Sequence, residues 1–356
     1  MVRRTSSGRR TIKDVAAEAG VSISTASLAL NDKDYVSPDT RARVLSAAKR
    51  LGYVPRPAAR QLARNQTGNI GFVLRADHFR RSEPFYTHVF LGTEFEADRK
   101  DLYVLLATIP PEFDPVEHTP RFLRERNVDG VLVAGKVDPG FVAELRNAGL
   151  PVVLIDFEMD ELPAVVVDNQ TGARTAVEHL IELGHRQIGF VGADMEHPGL
   201  RSRLDGYRLA LSAAGLHEIP EFVVADENGN PDGETGKMMG ERLLTANSPP
   251  TAIFCANDAL ALGVMDTALK QGLAVPHDLS VVGFDDVAGA RSAAPSLTTV
   301  RVFKEQLGEL AIRYLFELME GTPDESDRYR RGAHDITVPT ELVIRNSTGT
   351  PLRAQT

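Results

Sequence analysis

Arg10-Thr11-Ile12-Lys13-Asp14-Val15-Ala16-Ala17-Glu18-Ala19-Gly20-Val21-Ser22-Ile23-Ser24-Thr25-Ala26-Ser27-Leu28-Ala29-Leu30-Asn31 is the stretch on which the reading of this chain turns. Thr11 precedes an apolar-periodic run and Asp14 follows three positions later, a capping-box start with Asp in place of Glu or Gln. Ile12, Val15, Ala16 and Ala19 share one helical face, and Gly20 supplies the stop. Ser22 is the expected cap of a second helix with Ala26, Ala29 and Leu30 as its inward stripe. Ser37-Pro38-Asp39 opens a third helix, with Val44, Leu45, Ala48 and Leu51 expected inside before Gly52. Two short helices joined by a glycine-containing turn and closed by a third make a helix-turn-helix.

Leu28 stands two positions from both Ala26 and Leu30, which turns it about 200° from the packed stripe. Ser24, one turn away, and Ile23 share that outward face. An exposed leucine there suits a thymine methyl, and a serine can bond several base edges. The alternative is that Leu28 covers a neighbouring loop.

Charge points the same way. Residues 1–66 hold 13 Lys/Arg against 5 Asp/Glu, whereas the rest of the 356-residue chain holds 27 against 44. A basic module on an acidic body is what phosphate binding by one end requires. A single cysteine, Cys255, excludes a disulfide framework. No run approaches about 18 apolar residues, and Arg3-Arg4 to Arg9-Arg10 has no apolar segment behind it, so neither a membrane span nor a signal peptide is expected.

Beyond Asn69 the chain alternates short apolar runs with amphipathic stretches. Strand-like runs include Ile70 to Leu74, Leu102 to Ala107, Gly130 to Ala134, Val152 to Ile155, Val165 to Val167 and Gln187 to Val191. Phe222 to Val224, Ala252 to Cys255 and Ser280 to Phe284 continue the series. Asn169 to Leu183, Arg203 to Ala214 and Asp258 to Gln271 read as helices between them. The expected fold class is therefore α/β, with doubly wound parallel sheets, and about 280 residues suggest two lobes.

Ile12-Lys13-Asp14-Val15-Ala16, Gly20-Val21-Ser22, Thr25-Ala26-Ser27, Leu30-Asn31, Gly52-Tyr53, Pro55 and Ala59-Arg60-Gln61-Leu62 together resemble the headpiece of the lactose-repressor (LacI/GalR) family of bacterial transcription regulators. The likeness runs intermittently to Pro339-Thr340-Glu341-Leu342. It implies a three-helix headpiece and a two-lobed, periplasmic-binding-protein-like core whose chain crosses between lobes three times. Those crossings are expected near Val167-Asn169, Thr298-Arg301 and Arg330-Ala333. The implied plan is a basic tail (1–9), headpiece (10–55) and hinge helix (56–66). An N-subdomain (69–168 with 301–331), a C-subdomain (169–300 with 332–347) and a tail (348–356) follow.

The DNA-facing set under that resemblance is Thr11, Ser22, Ile23, Ser24, Thr25, Ser27, Leu28, Asn31, Tyr53, Arg60 and Leu62. The hinge helix would form on DNA, pair with its dimer mate and wedge Leu62 into the minor groove; the alternative is a plain linker with Leu62 packing on the core. In this family the position of Leu28 is commonly an arginine that reads guanine, so operator preference cannot be copied from typical members.

Open parallel sheets bind ligands beyond the carboxyl ends of their strands. Asp156, Asn257 and Asp285 stand at three such ends, and Arg203 opens a helix after the run Gly189-Phe190-Val191. Carboxylates, an amide and a guanidinium in one cleft suit a polyhydroxylated ligand or a heterocycle, with Phe85, Tyr86, Phe157 and Phe284 as stacking candidates. Each polar group also has a plain structural reading: Asn257 as a helix cap, Asp285-Asp286 as a turn and Arg203 as an ion pair. The resemblance favours Asp156, Arg203, Asn257 and Asp285 as effector contacts. A family aromatic in the loop around Gly229-Asn230-Pro231-Asp232 is missing, with Pro231 near its place.

The partners expected are pseudo-palindromic operator DNA, a small effector, most naturally a carbohydrate, and a second copy of the chain. The residues after Ser347 carry no leucine heptad, so a dimer is the default. Glycine-rich phosphate motifs and Cys/His metal spacings are absent, so no cofactor and no metal are expected. A cytoplasmic, nucleoid-associated location follows. A solute-binding protein with this core would need a signal peptide and has no use for the headpiece. An enzyme would need a nucleophile or acid-base pair, and none is found.

Overall fold

The computed structural model describes residues 10–30, 35–53, 66–78, 85–227, 229–321 and 335–352. It divides into two compact units, residues 1–68 and 69–356. In the first, α1 (Ile12–Ala19), α2 (Ile23–Leu30) and α3 (Pro38–Leu51) enclose a core of small side chains. The Asp14 carboxylate accepts the Thr11 backbone N–H at 2.7 Å and its hydroxyl at 3.0 Å. Ser22 Oγ accepts from Thr25 N at 3.0 Å and so caps α2. Gly20 (φ 64°) and Gly52 (φ 59°) close α1 and α3 in the left-handed conformation.

Val15, Ala16, Ala19, Ala26, Ala29, Val36, Val44, Ala47 and Ala48 are the buried residues. Leu45, expected inside, is 50% exposed. The inward stripe of α3 is Val44, Ala47 and Ala48, and Leu45 lies about 100° off that line.

The second unit contains two six-stranded sheets. The first comprises β1 (Asn69–Arg75), β2 (Tyr103–Ile109), β3 (Gly130–Ala134), β4 (Val152–Ile155), β5 (Ala164–Val167) and β11 (Ile336–Val338), in the order β2-β1-β3-β4-β5-β11 and parallel throughout. The second comprises β6 (Ile188–Ala193), β7 (Val223–Asp226), β8 (Ala252–Cys255), β9 (Ser280–Asp285), β10 (Thr298–Val302) and β12 (Thr340–Val343). Its order is β7-β6-β8-β9-β10-β12, with only β12 antiparallel. Both sheets reverse direction of growth after their first strand, so each has a crevice at the carboxyl ends of β1/β3 or β6/β8.

Helices α4 (Phe85–Arg99), α5 (Arg121–Arg124), α6 (Pro139–Asn147) and α12 (Lys304–Glu320) belong with the first sheet. Helices α7 (Asn169–Glu182), α8 (Pro198–Ala213), α9 (Gly233–Leu244), α10 (Asp258–Lys270) and α11 (Ala288–Ser292) belong with the second. Gly92 on α4 and Gly308 on α12 let these helices cross at backbone distance. A Cβ on Gly92 would strike the Glu305 carbonyl oxygen, and one on Gly308 that of Val89.

The chain passes between the lobes at Asp168, Phe303 and Pro339. Thr298-Arg301, expected as a crossing, lies inside β10, and the second crossing follows it. The third expected crossing, Arg330-Ala333, and the hinge segment 56–65 lie outside the described residues. Ile336–Val338 pairs with β5, so the chain still belongs to the first lobe until Pro339, later than expected. Pro339 lacks the N–H that would continue a ladder, and β12 then pairs with β10 of the other sheet.

Candidate functional site

On α2, Ile23 is 48% and Leu28 38% exposed, and Ser22 and Ser24 are exposed beside them. Thr25, Ser27 and Tyr53 are half-buried, Tyr53 against the helical core. Ser22 Oγ lies 2.8 Å from the Thr25 hydroxyl, and exposed Thr11 is tied to Asp14, so these three brace the helix starts as well as presenting polar surface. Asn31, Arg60 and Leu62 lie outside the described residues.

In the second unit a cavity of about 220 Å³ opens between the lobes. The first lobe contributes Arg75 from the end of β1, Asp77 and His78 from the turn after it, Phe85 and Tyr86 from α4, and Asp156 from just beyond β4. The second contributes Asp194, His197, Leu200, Arg203, the loop Gly229-Asn230-Pro231, Asn257 and Asp285. Of the residues singled out by sequence, Phe85, Tyr86, Asp156, Arg203, Asn257 and Asp285 meet here. Phe157 and Phe284 do not. Phe157 is buried in the core on the opposite face of the first sheet. Phe284 is fully buried beneath the site, its ring centre 3.8 Å from the Arg203 guanidinium carbon.

Arg203 is the organising cation. Its Nε donates to Asn169 Oδ1 at 2.8 Å, its Nη1 donates to the Ala256 carbonyl at 2.6 Å, and Nη1 stands 3.2 Å from Asp285 Oδ1. It therefore joins the first crossing to the ends of β8 and β9. Asp285 reaches the second crossing, because the Lys304 ammonium donates to its carbonyl oxygen. Asp156 (φ 65°) and Asp285 (φ 111°) occupy the left-handed region where their strands stop.

Burial pushes the Asp156 carboxyl up to about 6, although Arg203 and the Tyr86 hydroxyl, which donates to Oδ2 at 2.9 Å, pull the other way. Burial raises Asp285 and Asp194 as well, each opposed by a guanidinium, Arg203 and Arg75 respectively. His197 is driven down to about 3 by burial, then by Arg203. Its Nδ1 accepts the Gly199 N–H at 3.2 Å, so the neutral ring carries its hydrogen on Nε2. The 3.8 Å approach of Nε2 to Asp156 is thus a polar contact near neutral pH, and no ion pair.

Asn257 caps α10, with Oδ1 accepting from Leu260 N at 2.8 Å, and its Nδ2 donates to the Pro231 carbonyl at 2.7 Å. Asn257 is thus a helix cap that also lines the cavity. Arg75, Asp77, His78, Asp194, His197 and Leu200 escaped the sequence reading. Arg75 and Asp194 carry the same signal that marked Asp156, a polar residue where an apolar run stops.

Among the described residues no group of three His, Cys, Asp or Glu side chains is placed to hold a metal ion. No helix among them is long and apolar enough to cross a membrane.

Residues 11–56 match the family described as bacterial regulatory proteins, lacI family, and residues 177–348 match a periplasmic binding protein-like domain. The chain is 34% identical over 341 residues to the HTH-type transcriptional repressor CytR of Escherichia coli (strain K12), covering 95% of this chain and 96% of that protein. It is 33% identical over 340 residues to the repressor PurR of Haemophilus influenzae (strain PittEE), covering 95% and 98%. Among solved structures, the lac repressor dimer bound to operator and the anti-inducer ONPF superposes with a TM-score of 0.76 at 27% identity, covering 96% of this chain and 99% of that one. The complex of the transcriptional regulator CelR with cellobiose gives 0.70 at 31% identity, covering 95% and 100%.

Proposed function

This chain belongs to the lacI family of bacterial regulatory proteins, and from that membership we propose a dimeric operator-binding repressor whose DNA affinity is set by a carbohydrate held between the lobes of its core. The observation that carries the reading is Arg203, which lines the cavity and grips the first crossing through Asn169. Asp285, beside it, is held from the second crossing by Lys304. A ligand bonded to these two side chains acts on the segments about which the lobes move. It shifts the equilibrium only by its difference in affinity for the two lobe arrangements.

The DNA surface is the exposed face of α2, with Ile23, Ser24 and Leu28 as base-reading candidates. The segment 56–66 with Arg60 and Leu62 supplies the minor-groove hinge, and the protein works in the cytoplasm at the nucleoid. Support for the carbohydrate comes from the surplus of carboxylate acceptors in the cavity and from the similarity to the cellobiose-bound CelR structure. A second copy of the chain is supported by exposed Tyr103 and Leu106 on β2, an edge strand, with exposed Phe95 on the adjoining α4. The test is selection of operator sites from random DNA by the full chain, followed by gel shifts on the selected site. A pseudo-palindrome bound by the full chain and lost on removing residues 1–66 is expected. Equal binding by the truncated protein would refute the assignment.

A further inference from the structure

Arg75 ends β1, and the tight turn that follows folds Asp77 back onto it. Arg75 Nε meets Asp77 Oδ1 at 2.9 Å and Nη2 meets Oδ2 at 2.7 Å, a fork closed on both prongs. Asp194 follows β6 on the other lobe, in the left-handed region (φ 52°), and its charge is opposed across the cleft by Arg75. The far end of the cavity repeats this arrangement, with Arg203 between Asp156 and Asp285. Each end thus has one guanidinium and two carboxyl groups, with an ammonium already engaged behind them, Lys136 on Glu196 and Lys304 on the Asp285 carbonyl.

We propose that Arg75, Asp77 and Asp194 form a specificity end of the cavity that selects a hydroxyl-rich ligand without an anionic group, neutral or cationic, and rejects its phosphorylated and carboxylated relatives. This rests on the ligand reading of the cavity given above.

An incoming phosphate finds the Arg75 fork already filled, and opening it would strand Asp77 beside Asp194. Two helix starts that face the cavity and would otherwise welcome an anion, those of α10 and α8, are closed by their own side chains. Asn257 Oδ1 holds Leu260 N at α10, and His197 Nδ1 holds Gly199 N at α8. Hydroxyl and ammonium donors meet the opposite situation. Asp285 Oδ1 is buried without a well-aligned hydrogen bond despite the nearby guanidinium, and Asp156 and Asp194 offer further acceptor oxygens.

The experiment is calorimetric titration of the full-length protein with matched sets: glucose, glucosamine, gluconate and glucose 6-phosphate; cellobiose and its phosphate; adenosine and its 5′-monophosphate. Wherever a parent binds, its anionic relative is expected to bind at least about tenfold more weakly, and an amino relative no more weakly. An anionic compound binding as tightly as its parent overturns the proposal. Asp77→Asn leaves the Arg75 fork open and should narrow the parent-to-phosphate ratio by about tenfold. An unchanged ratio removes the Arg75–Asp77 pair from specificity. If no member of any set binds while operator DNA is still bound, the effector reading fails, and this inference falls with it.

Discussion

Arg203 Nη1 stands 3.2 Å from Asp285 Oδ1, both side chains almost wholly buried, with the Phe284 ring packed under the guanidinium. Removing the cation leaves a buried carboxylate and the Asn169 amide without their partner. Arg203→Ala should therefore lose about 3–5 kcal/mol of stability in urea titrations. Arg203→Met combined with Asp285→Asn should recover most of that. Where the single variant is folded, it should bind operator but no longer respond to ligand. A fully responsive Arg203→Ala protein would take Arg203 out of the site.

The raised carboxyl of Asp156 makes ligand binding depend on pH. Its folded value of about 6 lies above the ordinary 3.8, so the ligand-free protein takes up a proton there. The group therefore lowers stability progressively as pH rises from about 4 to about 6, and no further above that. A ligand hydroxyl donating to the carboxylate favours the ionised form. Affinity should accordingly strengthen from pH 5 to 7 and then level off, and Asp156→Asn should flatten the profile. Wild-type affinity that weakens over that interval would contradict the assignment.

Asp286 has the opposite sign. Burial acts to raise it, but Arg345 (2.5 Å), Arg301 (2.8 Å) and Arg291 (3.2 Å) prevail and hold it down to about 2. Its contribution to stability is present above the ordinary carboxylate value near 4 and is lost as pH falls from there towards 2. Arg345 follows β12, so the cluster pins the C-terminal segment to the second lobe. Asp286→Asn should cost about 3 kcal/mol or more at pH 7 and much less near pH 2 to 3. Equal losses at both pH values would show that packing, and not charge, is responsible.

The proposal that Leu28 contacts a base is tested by its variants. Leu28→Ala should weaken cognate operator binding by about 1–2 kcal/mol and leave nonspecific DNA binding nearly unchanged, because the phosphate contacts remain. Leu28→Arg should shift the sites selected from random DNA towards guanine at the contacted position. Identical site preferences for both variants and the parent chain would mean that Leu28 only covers the protein surface.

What could be read from the chain, and what could not, follows from how locally each feature is encoded. Thr11 with Asp14, Ser37 with Pro38, Gly20 and Gly52 mark the headpiece helices because caps are written within a few residues. Asp156 and Asp285 were visible as polar residues closing apolar runs. Phe157 misled because adjacent residues at a strand end face opposite sides, and Phe284 because it packs beneath Arg203 and is covered by it. Arg75 and Asp194 needed only the same rule applied at β1 and β6. The crossing at Pro339 was hidden because nothing local in Ile336 to Val343 marks which sheet each half joins, which is decided by partners far away in sequence.

The central claim is that occupancy of the interlobe cavity sets operator affinity. Fluorescence anisotropy of the full-length dimer on its selected operator, with and without a saturating compound shown by titration to bind the core, tests it most directly. A change in operator Kd of about fivefold or more, absent in Arg203→Ala where that variant is folded, is expected. An operator Kd that stays the same when the cavity is demonstrably filled would contradict the account.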